Sequence, residues 1–300
     1  DRANNNDMLY NICWRNIPTK ATLRTLFEKL FLPLGMNILE AIKVRRSVRT
    51  YDGQPLSAAQ ASQINDAISL ASSPFGGSVT IKLATVDTGG EFRPSTYGVI
   101  KGARSYLLMG LGNDVNSKLS GGFMMEQVVL RACQLGLATC WIAGTFKSKS
   151  FTDAAALPAG ETLEVVSPIG QPGDRPRFMD RLMRAVASSD KRKPLGELFF
   201  VNDFSVSLTE DGPYAMPLDM MRLAPSSANS QPWRALVRGN QVDFYCAKDN
   251  NYSMIDMGIG LCHFALAADA QNISGAFAKN ELPVPAPGNW QYVVSFIEAG

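Results

Sequence analysis

The second half of this sequence repeats three elements of its first half in the same order. The matched pairs are Leu70–Ser73 with Ala224–Ser227, Leu130–Leu137 with Leu266–Ile273, and Val165–Ile169 with Val293–Ile297. The middle pair has an offset of 136 residues, which also places Gly258 on Gly122. In that pair Asn272 replaces Gly136, and both residue types tolerate the left-handed conformation that often ends a helix. The repeat indicates two related halves fused in one chain.

The repeat divides the chain into three parts. We expect an N-terminal extension over residues 1–35, a first half over 36–198 and a shorter second half over 199–300, with the join near 195–205. Residues 1–20 are polar and lack the basic segment and apolar run of a secretory signal. Residues 21–31 carry leucine and phenylalanine at helical spacing, which predicts one amphipathic helix packed on the body of the protein.

Charge and hydropathy exclude two classes of partner. The chain has 29 lysines and arginines against 27 acidic residues, so its net charge is only +2. Binding to nucleic acid through phosphate neutralisation normally requires a clear basic excess, and we expect no nucleic-acid partner. No apolar run approaches the roughly 18 residues that a membrane span needs, and we expect no membrane partner.

The cysteine and histidine counts limit the chemistry further. The five cysteines form no C-x-x-C pair and the chain has a single histidine, so we expect no metal site. Scattered cysteines in an odd number are typical of reduced thiols, which predicts a cytoplasmic protein. The single histidine, His263, lies in an apolar helical run, which favours a packed, hydrogen-bonded core residue over a catalytic one.

Helical and strand patterns are mixed along the chain, which predicts an α/β or α+β fold. Asn37 and Ser57 are expected to begin helices, and Ser57 forms a capping box with Gln60. The other predicted elements are a strand near Val79–Leu83, a short helix and a strand within Tyr97–Gly110, a long helix over Gly122–Leu135, a strand near Leu163–Ile169, a helix over Arg181–Ala187 and a strand over Trp233–Val237.

Each half keeps one polar element that the other half has lost. Arg45, Arg46 and Arg49 form a guanidinium cluster, which suits a phosphate or a carbonyl-rich ring edge, or is a solvated basic surface. The loop Pro225–Trp233 concentrates serine, asparagine, glutamine and proline, which suits the edge of a flat heterocycle, or is a plain turn. The counterpart of this loop, Ala71–Val79, has lost most of these side chains, and no arginine cluster begins the second half.

In combination these elements resemble the FMN-dependent nitroreductases over about residues 36–300. The matching motifs are R-[RH]-S-x-R at Arg45–Arg49 followed by Tyr51 and Asp52, L-G-L-x-[TS]-[CA]-W at Leu135–Trp141, K/R-x-P-L-x-E-[LV] at Lys191–Leu198, and P-S-S-x-N-x-Q-P-W at Pro225–Trp233. Members of that family are α+β homodimers with each flavin at the subunit interface. The resemblance implies an α+β, nitroreductase-like fold in which the two halves form a pseudo-dimer within one chain.

The resemblance also implies which residues hold FMN. In the family, one subunit supplies the arginine motif and the other supplies the loop, so the two intact elements here would build one composite flavin site and leave the opposite site empty. The expected contacts are Arg45, Arg46, Ser47 and Arg49 with the pyrimidine edge, ribityl chain and phosphate, Lys191 and Arg192 near the phosphate, Pro225, Ser226, Ser227 and Asn229 along the isoalloxazine, and the backbone of Ala143 and Gly144 near flavin N5.

The implied activity is that of a monomeric oxidoreductase that passes a hydride from NAD(P)H through FMN to an electrophile such as a nitroaromatic or a quinone. No catalytic side chain is expected, because the cofactor carries the chemistry. The main alternative is a flavin-binding protein without turnover, used for sensing or storage. Further alternatives are a scaffold that has lost flavin, and another flavin chemistry such as flavin destruction or dehalogenation.

Overall fold

The computed structural model of the chain describes residues 35–86, 92–174, 191–248 and 250–299. Two predicted helices, over residues 21–31 and 181–187, lie outside the described residues, as does almost all of the expected extension 1–35.

Helices and strands are mixed in both halves. The chain up to Gly170 contains α1 (Ile38–Val44), α2 (Ala58–Leu70), β1 (Val79–Thr85), β2 (Ser105–Leu111), α3 (Val115–Gln134), β3 (Ala138–Thr139), α4 (Thr152–Ala155) and β4 (Thr162–Gly170). The chain from Leu195 contains α5 (Leu195–Leu198), β5 (Phe199–Val201), β6 (Asp203–Ser207), α6 (Ala215–Arg222), β7 (Trp233–Arg238), β8 (Gln241–Cys246), α7 (Ser253–Ala270), β9 (Gly275–Ala278) and β10 (Gln291–Glu298).

The two sheets share one topology. The first sheet has the strand order β1-β2-β4-β3, and each of its neighbouring pairs is antiparallel. The second sheet has the order β6-β5-β7-β8-β10-β9, in which β7-β8-β10-β9 repeats that antiparallel arrangement. Strand β5 adds to β7 in parallel, and β6 covers the edge. One hydrophobic core joins the inner faces of both sheets to α3 and α7, so the fold is α+β with two related halves.

Local sequence signals set the first two helices, as predicted. The Asn37 side chain accepts a hydrogen bond from the Glu40 backbone N–H at 2.9 Å, and the Glu40 carboxylate accepts one from the Asn37 N–H at 3.0 Å. Ser57 and Gln60 form the same reciprocal arrangement at the start of α2. Each pair satisfies two backbone donors that a helix start would otherwise leave unpaired.

Helices α3 and α7 cross at the two glycines that the repeat aligns. A Cβ atom on Gly122 would collide with the carbonyl oxygen of Ile255, and one on Gly258 would collide with the carbonyl oxygen of Leu119. Leu119 and Ile255 are themselves related by the 136-residue offset, so the contact is symmetric. Only glycine lets two backbones approach this closely. The halves therefore pack around a pseudo-twofold axis that passes between Gly122 and Gly258.

Two local predictions were wrong. The long helix begins at Val115 rather than Gly122, because Asp114 caps it by accepting a hydrogen bond from the Ser117 N–H at 2.9 Å. The described residues 97–104 form turns and a bridge rather than a short helix. Lys101 uses its backbone N–H to bind the Arg49 carbonyl and its own carbonyl to accept from Tyr51, both at 2.9 Å. These bonds to the arginine segment replace the hydrogen bonds of a helix.

Candidate active site

A cavity of about 650 Å³ lies between the two halves. The first half contributes the end of α1 with the segment that follows it, residues 42–49, and the segment 141–145 after β3. The second half contributes the loop 225–229 and the first turns of α7. Arg46 and Ser227, which the sequence places far apart, line the same cavity. The volume is in the range typical of pockets for small organic ligands and cofactors.

The arginine segment is held at the cavity by the end of α1. Arg45 is the C-terminal cap, and its backbone N–H donates to the Ala41 carbonyl at 2.9 Å. The chain then becomes extended, because the Val48 N–H donates to the Thr139 carbonyl at 3.0 Å. Of the predicted residues here, Arg45, Arg46, Ser47 and Arg49 all line the cavity. The Arg45 side chain is only 6% exposed, so it forms part of the inner wall.

The polar loop reaches the cavity from the opposite half. A 3₁₀ turn at Ser227–Asn229 includes two left-handed residues, Ala228 with φ 49° and Asn229 with φ 54°. The loop is closed by a hydrogen bond from the Gln231 N–H to the Ser226 hydroxyl oxygen at 2.9 Å. The predicted residues Pro225, Ser226, Ser227 and Asn229 all line the cavity. Left-handed backbone at non-glycine residues is uncommon and tends to occur at functional sites.

The basic segment after residue 190 binds this loop directly. The Asn229 amide donates to the Lys191 carbonyl at 2.9 Å, and the Arg192 guanidinium donates to the Asn229 side-chain oxygen at 3.1 Å and to the Leu223 carbonyl at 3.2 Å. Arg192 lines the cavity. The Lys191 side chain is exposed and does not line it, so the contribution of Lys191 there is its backbone.

Ala143 and Gly144 belong to the first-half segment that follows β3. Ala143 lines the cavity together with Trp141 and Thr145, whereas Gly144 itself does not. Gly144 has φ 78°, and a Cβ atom there would come within 2.8 Å of the Tyr252 hydroxyl oxygen on the opposite half. The backbone conformation therefore favours glycine at this position, and a larger residue would also have to displace the Tyr252 hydroxyl.

The sequence reasoning missed Asp256, a buried carboxyl group on the first turns of α7. Asp256 is 3% exposed and lines the cavity. Both of its carboxylate oxygens accept from the Ser227 N–H at 3.0 Å, and one accepts from the Ser230 hydroxyl at 3.4 Å. Desolvation raises the pKa of Asp256 to about 7, against the lowering effect of those hydrogen bonds. An acidic residue within the apolar run Ile255–Leu261 was the available signal.

The electrostatic character of the cavity is basic. Its cationic lining side chains are Lys43, Arg45, Arg46, Arg49 and Arg192. Asp256 is the only acidic residue among the described residues that line it. Such a wall favours a ligand that carries a phosphate or another anion. Across the described part of the chain, no group of three histidine, cysteine or acidic side chains is arranged to hold a metal ion.

The sequence reasoning also missed Glu126, which lies behind the cavity on α3. Glu126 and His263 are both fully buried, and the Glu126 carboxylate contacts His263 Nε2 at 2.9 Å. His263 Nδ1 lies 3.0 Å from the Met220 carbonyl oxygen. The prediction of a hydrogen-bonded core histidine is confirmed. A lone acidic residue in the apolar run Phe123–Leu130 was again the available signal.

None of the helices within the described ranges combines the length and hydropathy of a bilayer span.

Comparisons with known proteins identify the fold. A family model described as "Putative TM nitroreductase" matches residues 37–268. A structure described as a "putative nitroreductase" from Thermotoga maritima MSB8 is similar, with a TM-score of 0.57 and 20% identity over 87% of this chain and 94% of that one. A nitroreductase with bound FMN from Bacteroides fragilis NCTC 9343 has a TM-score of 0.37 and 17% identity over 47% of this chain and 91% of that one. No curated protein matches the sequence.

The family match covers the arginine segment, the polar loop and both long helices, and it therefore extends across both halves. The Thermotoga structure shares the fold over most of both chains. The resemblance predicted from short motifs is confirmed: this chain belongs to the nitroreductase family that the matching model describes, with two related halves in one polypeptide.

Proposed function

We propose that this chain is an FMN-dependent oxidoreductase with one composite flavin site, which passes a hydride from NAD(P)H to an electrophile such as a nitroaromatic or a quinone. The observation that carries the proposal is that the arginine segment 45–49 and the loop 225–229 line one and the same cavity. Family membership supports an oxidoreductase. In this proposal the first half (36–198) supplies the arginines, the second half (199–300) supplies the loop, and residues 1–35 are an extension.

The residues present fit a flavin mononucleotide. Arg45 lines the cavity, and its buried Nε makes no hydrogen bond within the described residues, so the protein leaves part of this guanidinium's hydrogen-bonding capacity unused. The cationic side chains suit the phosphate, and Trp141, Ile255 and Ile259 provide an apolar wall for the ring. The left-handed loop directs short polar side chains into the same space.

The roles of this chain's residues are binding and electrostatic. When bound, FMN would accept a hydride from the nicotinamide and deliver it to the electrophile. Arg45, Arg46 and Arg49 would hold the cofactor and stabilise negative charge on it, because guanidinium groups stay charged at all physiological pH values. Ser226, Ser227 and Asn229 would orient the ring from the other half. No side chain needs to move a proton in this scheme.

The first test is the stoichiometry of FMN on the purified chain at a measured oligomeric state. We expect a cytoplasmic, monomeric protein that binds about one FMN per chain. The ratio is measured as flavin absorbance divided by protein concentration. A value near two would contradict the composite site, and a colourless protein that does not take up added FMN would exclude flavin binding altogether.

The second test separates the enzyme from a flavin-binding protein without turnover. We expect the loaded protein to oxidise NADH or NADPH when a quinone or a nitrofuran is added, and not with FMN-free protein. Arg45→Ala should lower FMN retention about tenfold or more, because it removes a buried charged donor. Lys149→Ala, which changes an exposed cation that does not line the cavity, is the matched control. Bound FMN without turnover would favour sensing or storage.

A further inference from the structure

Glu126 links the buried interior of the pseudo-dimer to two side chains of the cavity. Its carboxylate accepts a hydrogen bond from Trp141 Nε1 at 2.8 Å and lies 3.8 Å from Arg45 Nε. Trp141 and Arg45 line the cavity, whereas Glu126 and His263 do not. One carboxylate therefore contacts both the guanidinium and the indole that face the ligand.

The geometry around His263 determines where its hydrogens lie. The Met220 carbonyl can only accept, so Nδ1 must be the donor in the 3.0 Å contact between them. At 2.9 Å the contact between Nε2 and the Glu126 carboxylate also requires one hydrogen between the two atoms. Whichever atom carries that hydrogen, the side chains of Glu126 and His263 together have no net charge.

This charge balance matters for Arg45. A buried carboxylate 3.8 Å from a guanidinium would ordinarily cancel most of its positive charge. Because His263 already compensates Glu126, the Arg45 charge stays available to the ligand. The pair also spans the pseudo-twofold axis, since Glu126 lies on α3 and His263 lies on α7.

The two halves differ at this point. The 136-residue offset pairs Glu126 with Cys262 and Gln127 with His263. Gln127 binds the backbone of Ser72, with its amide donating to the Ser72 carbonyl at 2.8 Å. The carboxylate and the imidazole therefore exist only on the side of the axis where the complete cavity lies.

We propose that Glu126 and His263 form a charge-compensated pair that positions Arg45 and Trp141 at the cavity while leaving the Arg45 charge uncancelled. The effect of this pair on bound FMN rests on the proposed function; the placement of its hydrogens does not. Both residues are positioning residues, because neither lines the cavity.

The first test uses the unmodified chain without FMN. His263 is the only histidine, so the ring-nitrogen signals in a ¹⁵N NMR spectrum are unambiguous. We expect Nδ1 to bear a hydrogen and Nε2 to share one with Glu126, seen as coupling or a strongly shifted resonance. A neutral ring with the hydrogen on Nε2 and none on Nδ1 would overturn the pair. This result does not depend on flavin binding, so it stands even if the proposed function fails.

The second test measures the midpoint potential and Kd of bound FMN in three variants. His263→Gln leaves the carboxylate uncompensated, so we expect a more negative potential and a Kd raised about tenfold. Glu126→Gln removes the negative charge and should shift the potential in the opposite direction or leave it unchanged. The double variant should return towards the original potential, because its net charge is restored.

A merely structural role predicts a different pattern. Loss of packing alone would shift the midpoint potential in the same direction in both single variants, and the double variant would show a larger shift than either. That pattern would overturn the proposal. Asp219→Asn removes a carboxylate that pairs with Arg222 at 2.6 Å and does not line the cavity, so it should leave the potential unchanged. If a variant fails to fold, the NMR measurement on the unmodified chain still decides whether the pair exists.

Discussion

The loops Ala71–Val79 and Pro225–Trp233 occupy equivalent places in the two halves, but the first packs into the hydrophobic core and the second lines the cavity. At the position where the second loop carries Asn229 at the cavity, the first carries Phe75, which is 1% exposed. The Phe75 ring packs edge-on against Phe123 at 5.5 Å and against Phe277 at 5.3 Å between ring centroids. Aromatic rings therefore occupy the place in the first half that corresponds to Asn229 in the second.

The neighbouring helices differ in the same way. On α7, Asp256 accepts the Ser227 N–H, and Ile259 lines the cavity. At the equivalent positions of α3, Ser120 exchanges a 2.8 Å hydrogen bond with the Ser73 hydroxyl, and Phe123 joins the aromatic cluster. The loop of the first half packs Phe75 into the core, whereas the loop of the second half lines the cavity. This difference is the physical basis for expecting one ligand site per chain.

The largest expected loss of stability comes from removing the buried Phe75 ring. Phe75→Ala should lower the free energy of unfolding by about 3–5 kcal/mol, measured by denaturant titration, because it leaves a cavity among packed rings. FMN per chain should stay near one. The matched change in the other loop, Asn229→Ala, should weaken FMN binding and cost about 1–2 kcal/mol of stability, because it removes side-chain hydrogen bonds to Lys191 and Arg192. A loss of stability no larger than that of the Asn229 variant would contradict the comparison.

A smaller effect should follow from changing the helix crossing. Gly258→Ala places a methyl group against the Leu119 carbonyl, which is backbone and cannot move aside, and should cost about 1–3 kcal/mol of stability. Gly260→Ala on the same helix meets only side-chain atoms, of Met221 at 3.0 Å and Trp233 at 3.1 Å, so it should cost less than Gly258→Ala. Equal thermal denaturation midpoints for the two variants would show that the backbones of α3 and α7 do not approach each other closely at Gly258.

The smallest effect concerns the pH dependence of Asp256. The pKa of Asp256 is raised from 3.8 to about 7, so between these two pH values the folded state keeps a proton that the unfolded state releases. The free energy of unfolding therefore decreases as the pH rises from about 4 to about 7. Asp256→Asn should remove that loss, so its stability relative to the original chain should rise by about 1 kcal/mol from pH 6 to pH 7. The weakened Ser227 bonds lower its stability equally at both pH values.

Thermal denaturation at the two pH values measures this change. Ser120→Ala, at the equivalent position of α3, is the control without a titrating group. If the difference in stability between the Asp256 variant and the original chain does not increase with pH, Asp256 is not a buried ionisable carboxyl group.

Local signals predicted much of the fold. The sequence predicts that Asn37 begins a helix and that Ser57 forms a capping box with Gln60, and both predictions are confirmed because each signal lies within four consecutive residues. Gly136 and Asn272 both adopt positive φ, at 73° and 60°, as their place after a helix indicates. The repeat aligned Gly258 with Gly122, but that the two helices cross at these glycines became visible only in the structure.

The missed features depend on contacts between distant segments. The segment 97–104 is not helical because Lys101 pairs with the backbone on either side of Thr50, and nothing within the segment reveals that partner. Glu126 and Asp256 each look like an isolated charge in an apolar helix until His263 and Ser227 are seen beside them. Motif matching identified residues of the cavity wall, whereas the groups that support the wall became visible only in three dimensions.

The two halves that meet at the glycine crossing of α3 and α7 belong to one chain. This affects how the pocket responds to dilution and how each half can change in sequence. In a pair of separate identical subunits, dilution separates the partners and every substitution occurs twice. Here a peptide connection keeps the partners together at any dilution, so the shared pocket persists at low expression. Each side of the axis can also change alone, which allows one pocket to close without loss of the other.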